Sequence, residues 1–299
     1  MRRRLMQLTA ILGLLLGTAL PAQAIVNGQP DNGAHPMVGE LVFHLPGLAD
    51  PRFTDPGAWG RCTGTLVDPD TVVTAGHCTY LVGSSGKDVW FSIDERSDLS
   101  VLPPAAEYAP DHNAGRYATA VARLTASDDW HRATAIPHPS YVDLMANQNW
   151  ADIPFHDVGV LQLEDRLSVP AYGRLPRRGL LDALARANPR KPYTVVGFGS
   201  TTPAPQTDLA GGTRLLASTV LVDLDTTVGL VDGQVATFSG SGTPDAGSVC
   251  AGDSGGPILR ARVITAVVSF NHDPRCSGAT GAYRIDQPDD LAFLTPYVD

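Results

Sequence analysis

The apolar residues of this chain come in short runs, and that pattern constrains its fold more than any other feature. Val72-Val73, Val158–Leu163, Thr194-Val195-Val196, Thr219–Val222 and Val263–Phe270 each fall between turn signals. The chain spreads 30 glycines and 24 prolines along its length. Such punctuation favours an all-β chain of short strands over a helical bundle or a series of βα units. One exception lies near the C-terminus. Pro288-Asp289-Asp290-Leu291-Ala292-Phe293-Leu294 reads as a short helix with acidic residues in its first turn, which Pro296 would stop.

Two segments carry chemistry. Thr74-Ala75-Gly76-His77-Cys78 offers a histidine, and Gly252-Asp253-Ser254-Gly255-Gly256-Pro257 offers a serine in a glycine-rich turn. A serine hydroxyl is a weak nucleophile unless a base accepts its proton and a third group orients that base. Asp157 is the expected third group, because it opens the apolar run Val158-Gly159-Val160-Leu161. Asp143 and Asp152 are its nearby rivals, and His156 reads as a bystander. The serine segment also fits the G-x-S-x-G pattern of a nucleophile elbow, but those enzymes place acid and histidine after the serine. Here the chain ends 45 residues beyond Ser254, with His272 as the one histidine there. That is too little chain for the missing βα units.

With the chain order His77, Asp157, Ser254 and four further anchors, the sequence resembles the chymotrypsin/trypsin family of serine endopeptidases. Ile25-Val26-Asn27-Gly28 resembles the family's mature N-terminus, and His138-Pro139-Ser140-Tyr141 the segment preceding its catalytic aspartate. Gly197-Phe198-Gly199 stands where the family usually has Gly-Trp-Gly, and Val268-Ser269-Phe270 resembles the strand lining its substrate cleft. The resemblance implies two six-stranded antiparallel β-barrels with the active site between them. Residues 25–172 would form the first barrel and 173–299 the second. The crossover is expected near Ser168–Arg178, where Pro170, Gly173 and Pro176 interrupt the pattern. The segment Thr79–Ala135 is longer than the family needs and is expected to hold an enlarged surface loop plus two or three strands.

The resemblance also implies roles. Ser254 would attack the scissile carbonyl, His77 would carry the proton and Asp157 would hold the imidazole, with Ser269 fixing Asp157. The N–H groups of Gly252 and Ser254 would form the oxyanion hole. Ser248, six positions before the nucleophile, would floor the S1 pocket without a buried negative charge, which disfavours Arg or Lys at P1. Gly281 would leave that pocket open and Asn271 would narrow its entrance. An apolar or aromatic P1 residue is expected, a smaller aliphatic one next. The four cysteines allow three pairings. The resemblance selects Cys62–Cys78 and Cys250–Cys276, and an even count in an exported chain favours disulfides over a metal site.

Export is read from the first residues. Arg2, Arg3 and Arg4, a mostly apolar stretch from Leu5 to Leu20, and Ala22-Gln23-Ala24 match a signal peptide over 1–24 with an A-x-A cleavage site. Cleavage after Ala24 would free Ile25, whose ammonium the resemblance pairs with Asp253, with no separate pro-segment. Loss of three arginines leaves 19 basic against 31 acidic side chains, a charge of −12 that disfavours nucleic acid and anionic membranes. Asp94, Glu95 and Asp98 read as a solvated loop face rather than a calcium site, since no EF-hand spacing appears. The expectation is a secreted monomeric serine endopeptidase, extracellular or periplasmic, needing no cofactor or metal. Its partners would be protein or peptide substrates and a protein inhibitor. The alternative is a catalytically silent homologue acting as a binding protein.

Overall fold

The computed structural model describes residues 25–142, 156–188, 190–200, 212–224, 234–241, 245–273 and 275–298. The leader over 1–24 and the rivals Asp143 and Asp152 lie outside the described residues. Two closed six-stranded antiparallel barrels dominate the molecule. The first contains β2 (Val38–Leu45), β3 (Ala58–Leu66), β4 (Thr71–Thr74), β5 (Val89–Ser92), β6 (His131–Pro137) and β7 (Gly159–Leu163), closed in the order β2-β3-β4-β7-β6-β5. The second contains β8 (Tyr193–Gly197), β9 (Leu215–Asp223), β10 (Val235–Ser239), β11 (Pro257–Arg260), β12 (Val263–Asn271) and β13 (Ala279–Arg284). Its order is β9-β10-β13-β12-β11-β8, and β8 pairs back onto β9.

Burial explains the short apolar runs. In β9, Leu215, Ala217, Thr219 and Leu221 face inward and alternate with partly exposed neighbours. Strands buried along their length, such as β4 (Thr71-Val72-Val73-Thr74), lack that alternation. The chain changes barrels at Gly173–Arg174. The Gly173 N–H donates to Leu66 O in the first barrel, and the Arg174 N–H donates to Arg262 O in the second. The N-terminal residues sit differently from the expected division. β1 (Gln29–Pro30) pairs with β9, and Val26 bridges to Ser248, so this segment lies on the second barrel.

The stretch between Thr79 and Ala135 supplies β5 and most of β6, and in place of an enlarged loop alone it adds a helix, α1 (Asn113–Ala126). Asn113, Arg116, Ala120 and Leu124 form its buried stripe, at the spacing of one helical face. Ala120 and Leu124 cluster with Val42 and Trp90, which are cross-strand partners on β2 and β5, and with Leu99, Leu102 and Trp130. The Asn113 amide donates to the Pro56 and Gly57 carbonyls at 3.0 Å each, and Arg116 Nε donates to Pro103 O. A further short helix, α2 (Leu180–Ala187), precedes β8. The expected C-terminal helix is present as α3 (Pro288–Leu294), followed by a 3-10 turn over Thr295–Tyr297. Thr71 Oγ donates to Tyr297 O at 2.6 Å, docking this end on the first barrel.

Leu124 is fully buried between α1 and the barrel. Leu124→Ala should cost about 2–5 kcal/mol of unfolding free energy. Urea denaturation followed by tryptophan fluorescence checks this, because Trp90 and Trp130 belong to the same cluster.

Candidate active site

The seam between the barrels gathers the residues singled out by sequence. Ala75 follows β4 in an extended conformation, and a single 3-10 turn, Gly76–Cys78, carries His77. Cys78 is tied to Cys62 on β3 by a disulfide, which staples the turn to the barrel. Asp157 lies just before β7, which pairs with β4, so the two residues emerge from neighbouring strands at the same end. The His77 backbone N–H donates to Asp157 Oδ1 at 2.8 Å, and His77 Nδ1 stands 3.0 Å from Oδ2. From the second barrel, Ser269 Oγ donates to Asp157 Oδ2 at 2.5 Å. Three donors from two barrels therefore meet on one carboxylate.

Electrostatics agree with that geometry. The Asp157 side chain is 1% exposed, and the His77 side chain is 32% exposed. Burial alone raises the affinity of Asp157 for a proton and is the largest single influence. The His77 charge and the hydrogen bonds from His77 and Ser269 outweigh it and hold the carboxyl below its ordinary range. The result is a buried acceptor that stays ionised, facing the proton-bearing edge of a partly open imidazole.

The serine turn is locked to the same seam. Thr63 on β3 donates its N–H to Ser254 O at 2.8 Å and its hydroxyl to Gly252 O at 2.9 Å. Gly252 and Gly255 have φ of +98° and +77°, a region that L side chains rarely adopt. A Cβ on Gly255 would come within 2.8 Å of Ala75 N and collide with Thr74 Oγ. Main chain one residue after Ser254 thus touches main chain two residues before His77. Among the described residues, neither Gly252 nor Ser254 uses its N–H in a hydrogen bond. Sequence reasoning missed Thr63, whose type carries no motif.

Asp253 is fully buried and accepts from Gly199 N–H and Cys250 N–H, at 2.8 Å each. Burial dominates and pushes its pKa up to about 7, against the two amides and the more distant Arg61. Among the described residues no cationic side chain forms an ion pair with it. Gly199 belongs here because a Cβ would press on the Asp253 carboxylate at 2.6 Å. Ile25 is also fully buried and packs against Gly247, beside the Val26–Ser248 bridge.

The residues expected to shape specificity are distributed as follows. Ser248 Oγ lies 3.3 Å from Gly278 O, and the Asn271 amide donates to Ser248 Oγ at 3.2 Å and to Val249 O at 2.5 Å. Asn271 on β12 therefore spans to the wall that carries Ser248, and the disulfide Cys250–Cys276 ties the same wall to the loop before β13. A cavity of about 200 Å³ adjoins Ser248, Gly247, Val26 and Gly278. Gly281 pairs with Phe270, and a Cβ there would strike the Phe270 ring; the residue opposite Asn271 is Thr280.

Among the described residues, two groups bring ligating atoms together. Cys62 and Cys78, beside His77, are joined to each other. His138, His156 and Asp290 form a second group with ligating atoms within 4.8 Å, but the Ser140 N–H donates to His138 Nδ1 and leaves that ring's proton on Nε2. Glu95 accepts from Asn32 N–H, Asp98 accepts from Ser100 N–H, and Asp94 sits by Asp129, so these three acids do not converge on one point. Among the described residues no helix is long and apolar enough to cross a membrane.

The Trypsin family model matches residues 53–287. The chain belongs to the trypsin family of serine endopeptidases. A trypsin from Saccharopolyspora erythraea is 28% identical over 230 residues, covering 74% of this chain and 80% of that protein. The fold is shared with HL collagenase, at 18% identity and a TM-score of 0.60, over 92% of this chain and 100% of the other. It is also shared with a scabies mite inactivated protease paralogue, at 16% identity and a TM-score of 0.57, over 92% and 99%.

Next to this trypsin-family site, burial and the neighbouring His156 hold His138 neutral, lowering its pKa from 6.5 to about 4. A depressed histidine contributes stability that is complete above its unfolded value and lost as pH falls toward the folded one. Melting temperature should therefore drop between pH 6.5 and about 4, and His138→Gln should flatten that drop. Differential scanning calorimetry across the window checks it.

Proposed function

We propose that this serine endopeptidase works through a triad of His77, Asp157 and Ser254, forming an acyl-enzyme on Ser254. The observation that carries the reading is the shared grip on Asp157: His77 from the first barrel and Ser269 from the second both bond its buried carboxylate. Ser254 Oγ attacks the scissile carbonyl while His77 takes its proton, then returns it to the leaving amine. Asp157 keeps the proton of the neutral imidazole on Nδ1, so that Nε2 is the basic nitrogen, and stabilises the imidazolium. The N–H groups of Gly252 and Ser254 receive the oxyanion. That neither N–H has another partner among the described residues, and the positive φ of Gly252, support this.

Removal of residues 1–24 on export would free the Ile25 amine for Asp253. A carboxyl raised to about 7 by burial gains most from a cation, which is why the pairing is favoured. Ser248 provides no charge for a basic P1 side chain. Asn271, bonded across to Ser248 and Val249, and Thr280 opposite it leave less room than a glycine-lined slot. Apolar P1 residues fit, with small aliphatic ones ahead of aromatic ones, the reverse of the order expected from sequence, because Asn271 and Thr280 narrow the slot. Substrates are extracellular or periplasmic proteins, the enzyme acts as a monomer, and a protein inhibitor could occupy the same cleft.

A fluorophosphonate probe should label the mature protein stoichiometrically, and Ser254→Ala should abolish both labelling and peptide hydrolysis. Among chromogenic peptides differing only at P1, alanine or valine should be cleaved at least tenfold better than arginine. Unchanged labelling of Ser254→Ala would remove the serine assignment. Absence of labelling in the wild type would favour a silent binding homologue.

A further inference from the structure

His156 immediately precedes Asp157 and has φ +61°, a left-handed conformation that is uncommon for any residue but glycine. Something must hold it there, and the surroundings show what does. His156 Nδ1 lies 3.2 Å from Asp290 Oδ1 and 3.2 Å from the Tyr283 hydroxyl. Tyr283 OH reaches both Asp290 oxygens at 3.1 Å, and Asp290 is fully buried on α3. The His156 ring stacks on His138, with centroids 4.3 Å apart, and His138 meets Phe293 of α3 edge-on. The backbone is held as well: the Val158 N–H donates to His156 O, and the His138 N–H donates to Val158 O. Asp157 is thus bracketed by His156, held by α3 and β13, and by Val158, held by the His138 N–H.

We propose that Tyr283 and Asp290, acting through His156, are positioning residues for the catalytic carboxylate. By docking α3 onto the His156 ring they set the backbone turn that aims Asp157 at His77. The proposal rests on the triad reading above. The group is also electrically continuous with the site. The charged and titratable neighbours are His138 and His156 before β7, Asp289 and Asp290 on α3, Tyr283 on β13, and Asp157 itself. Asp290 is pushed up to about 6, chiefly by burial, and Asp157 is among the charges that raise Tyr283. A mere staple would stabilise the fold without touching the chemistry. A positioning device also affects proton transfer, because a loosened Asp157 stabilises the His77 imidazolium less.

The test uses the mature enzyme at a temperature well below every variant's melting point, following kcat, KM and the pH profile of kcat/KM on a small-residue peptide anilide. Asp290→Ala should lower kcat about tenfold or more with KM within twofold. It should also move the acid limb to lower pH. Asp290→Asn keeps an acceptor for Tyr283 and offers its amide nitrogen to the acceptor tautomer of His156 Nδ1, and should recover most of the loss. A lowered melting temperature with kcat and acid limb unchanged would overturn the proposal. Should Asp290→Ala not fold, Tyr283→Phe removes a single hydroxyl and should reduce kcat about threefold with the same direction of shift; an unchanged profile would overturn the proposal equally. Asp157→Asn run in parallel separates the two claims. If it is inactive while Asp290→Ala is normal, the positioning role alone fails; if it is fully active, the triad reading fails.

Discussion

The whole arrangement depends on one buried carboxylate that stays charged. Removing Asp157 from water costs several kcal/mol, and the cost is tolerable only because three donors converge on it. Those donors come from both barrels, so satisfying Asp157 and closing the seam are the same event. His77 and Ser269 cannot both reach it unless β4, β7 and β12 are aligned at one end of the molecule. The site is thereby a consequence of folding two barrels against a shared charge.

The serine turn follows the same logic with main-chain groups. Thr63 spends its amide on Ser254 O and its hydroxyl on Gly252 O, and that hydroxyl also accepts from Phe198 N–H. A threonine on the first barrel thus fixes the curvature of a loop on the second. Asp253 does the complementary work from behind, holding the amides of Gly199 and Cys250. Its raised proton affinity marks it as the least compensated buried acid beside the site, and its sign is opposite to that of Asp157. The two aspartates differ because Asp157 meets the side chains of His77 and Ser269 as well as an amide, whereas Asp253, among the described residues, meets two amides.

Much of this was legible in the sequence, for identifiable reasons. Short apolar runs between glycines and prolines marked an all-β chain, since a strand needs only a few inward-facing residues, while the two barrels followed from the family resemblance alone. His77, Asp157 and Ser254 were legible because each lies in a run whose neighbours are constrained: Cys78 by its bridge, Val158–Leu163 by burial, Gly252 and Gly255 by backbone shape. Helix α1 was not, because its buried stripe includes Asn113 and Arg116, polar residues that hide the apolar periodicity. Thr63 was silent because its contribution is a hydroxyl and an amide at the seam, which any strand threonine could offer. The part played by His156 depends on Tyr283 and Asp290, more than a hundred residues away, and no local pattern announces such a contact. The pairing of the N-terminal segment with β9 was not legible, since β1 has only two residues and alternation cannot tell which barrel receives it.

The most direct measurement is a crystal structure of the mature protein phosphonylated on Ser254. The account predicts His77 Nε2 within about 3.2 Å of Ser254 Oγ, Nδ1 still on Asp157, and one phosphonyl oxygen within the same reach of the Gly252 and Ser254 amides. A His77 ring turned away from the serine, or a phosphonyl oxygen facing solvent with both amides bonded elsewhere, would contradict it.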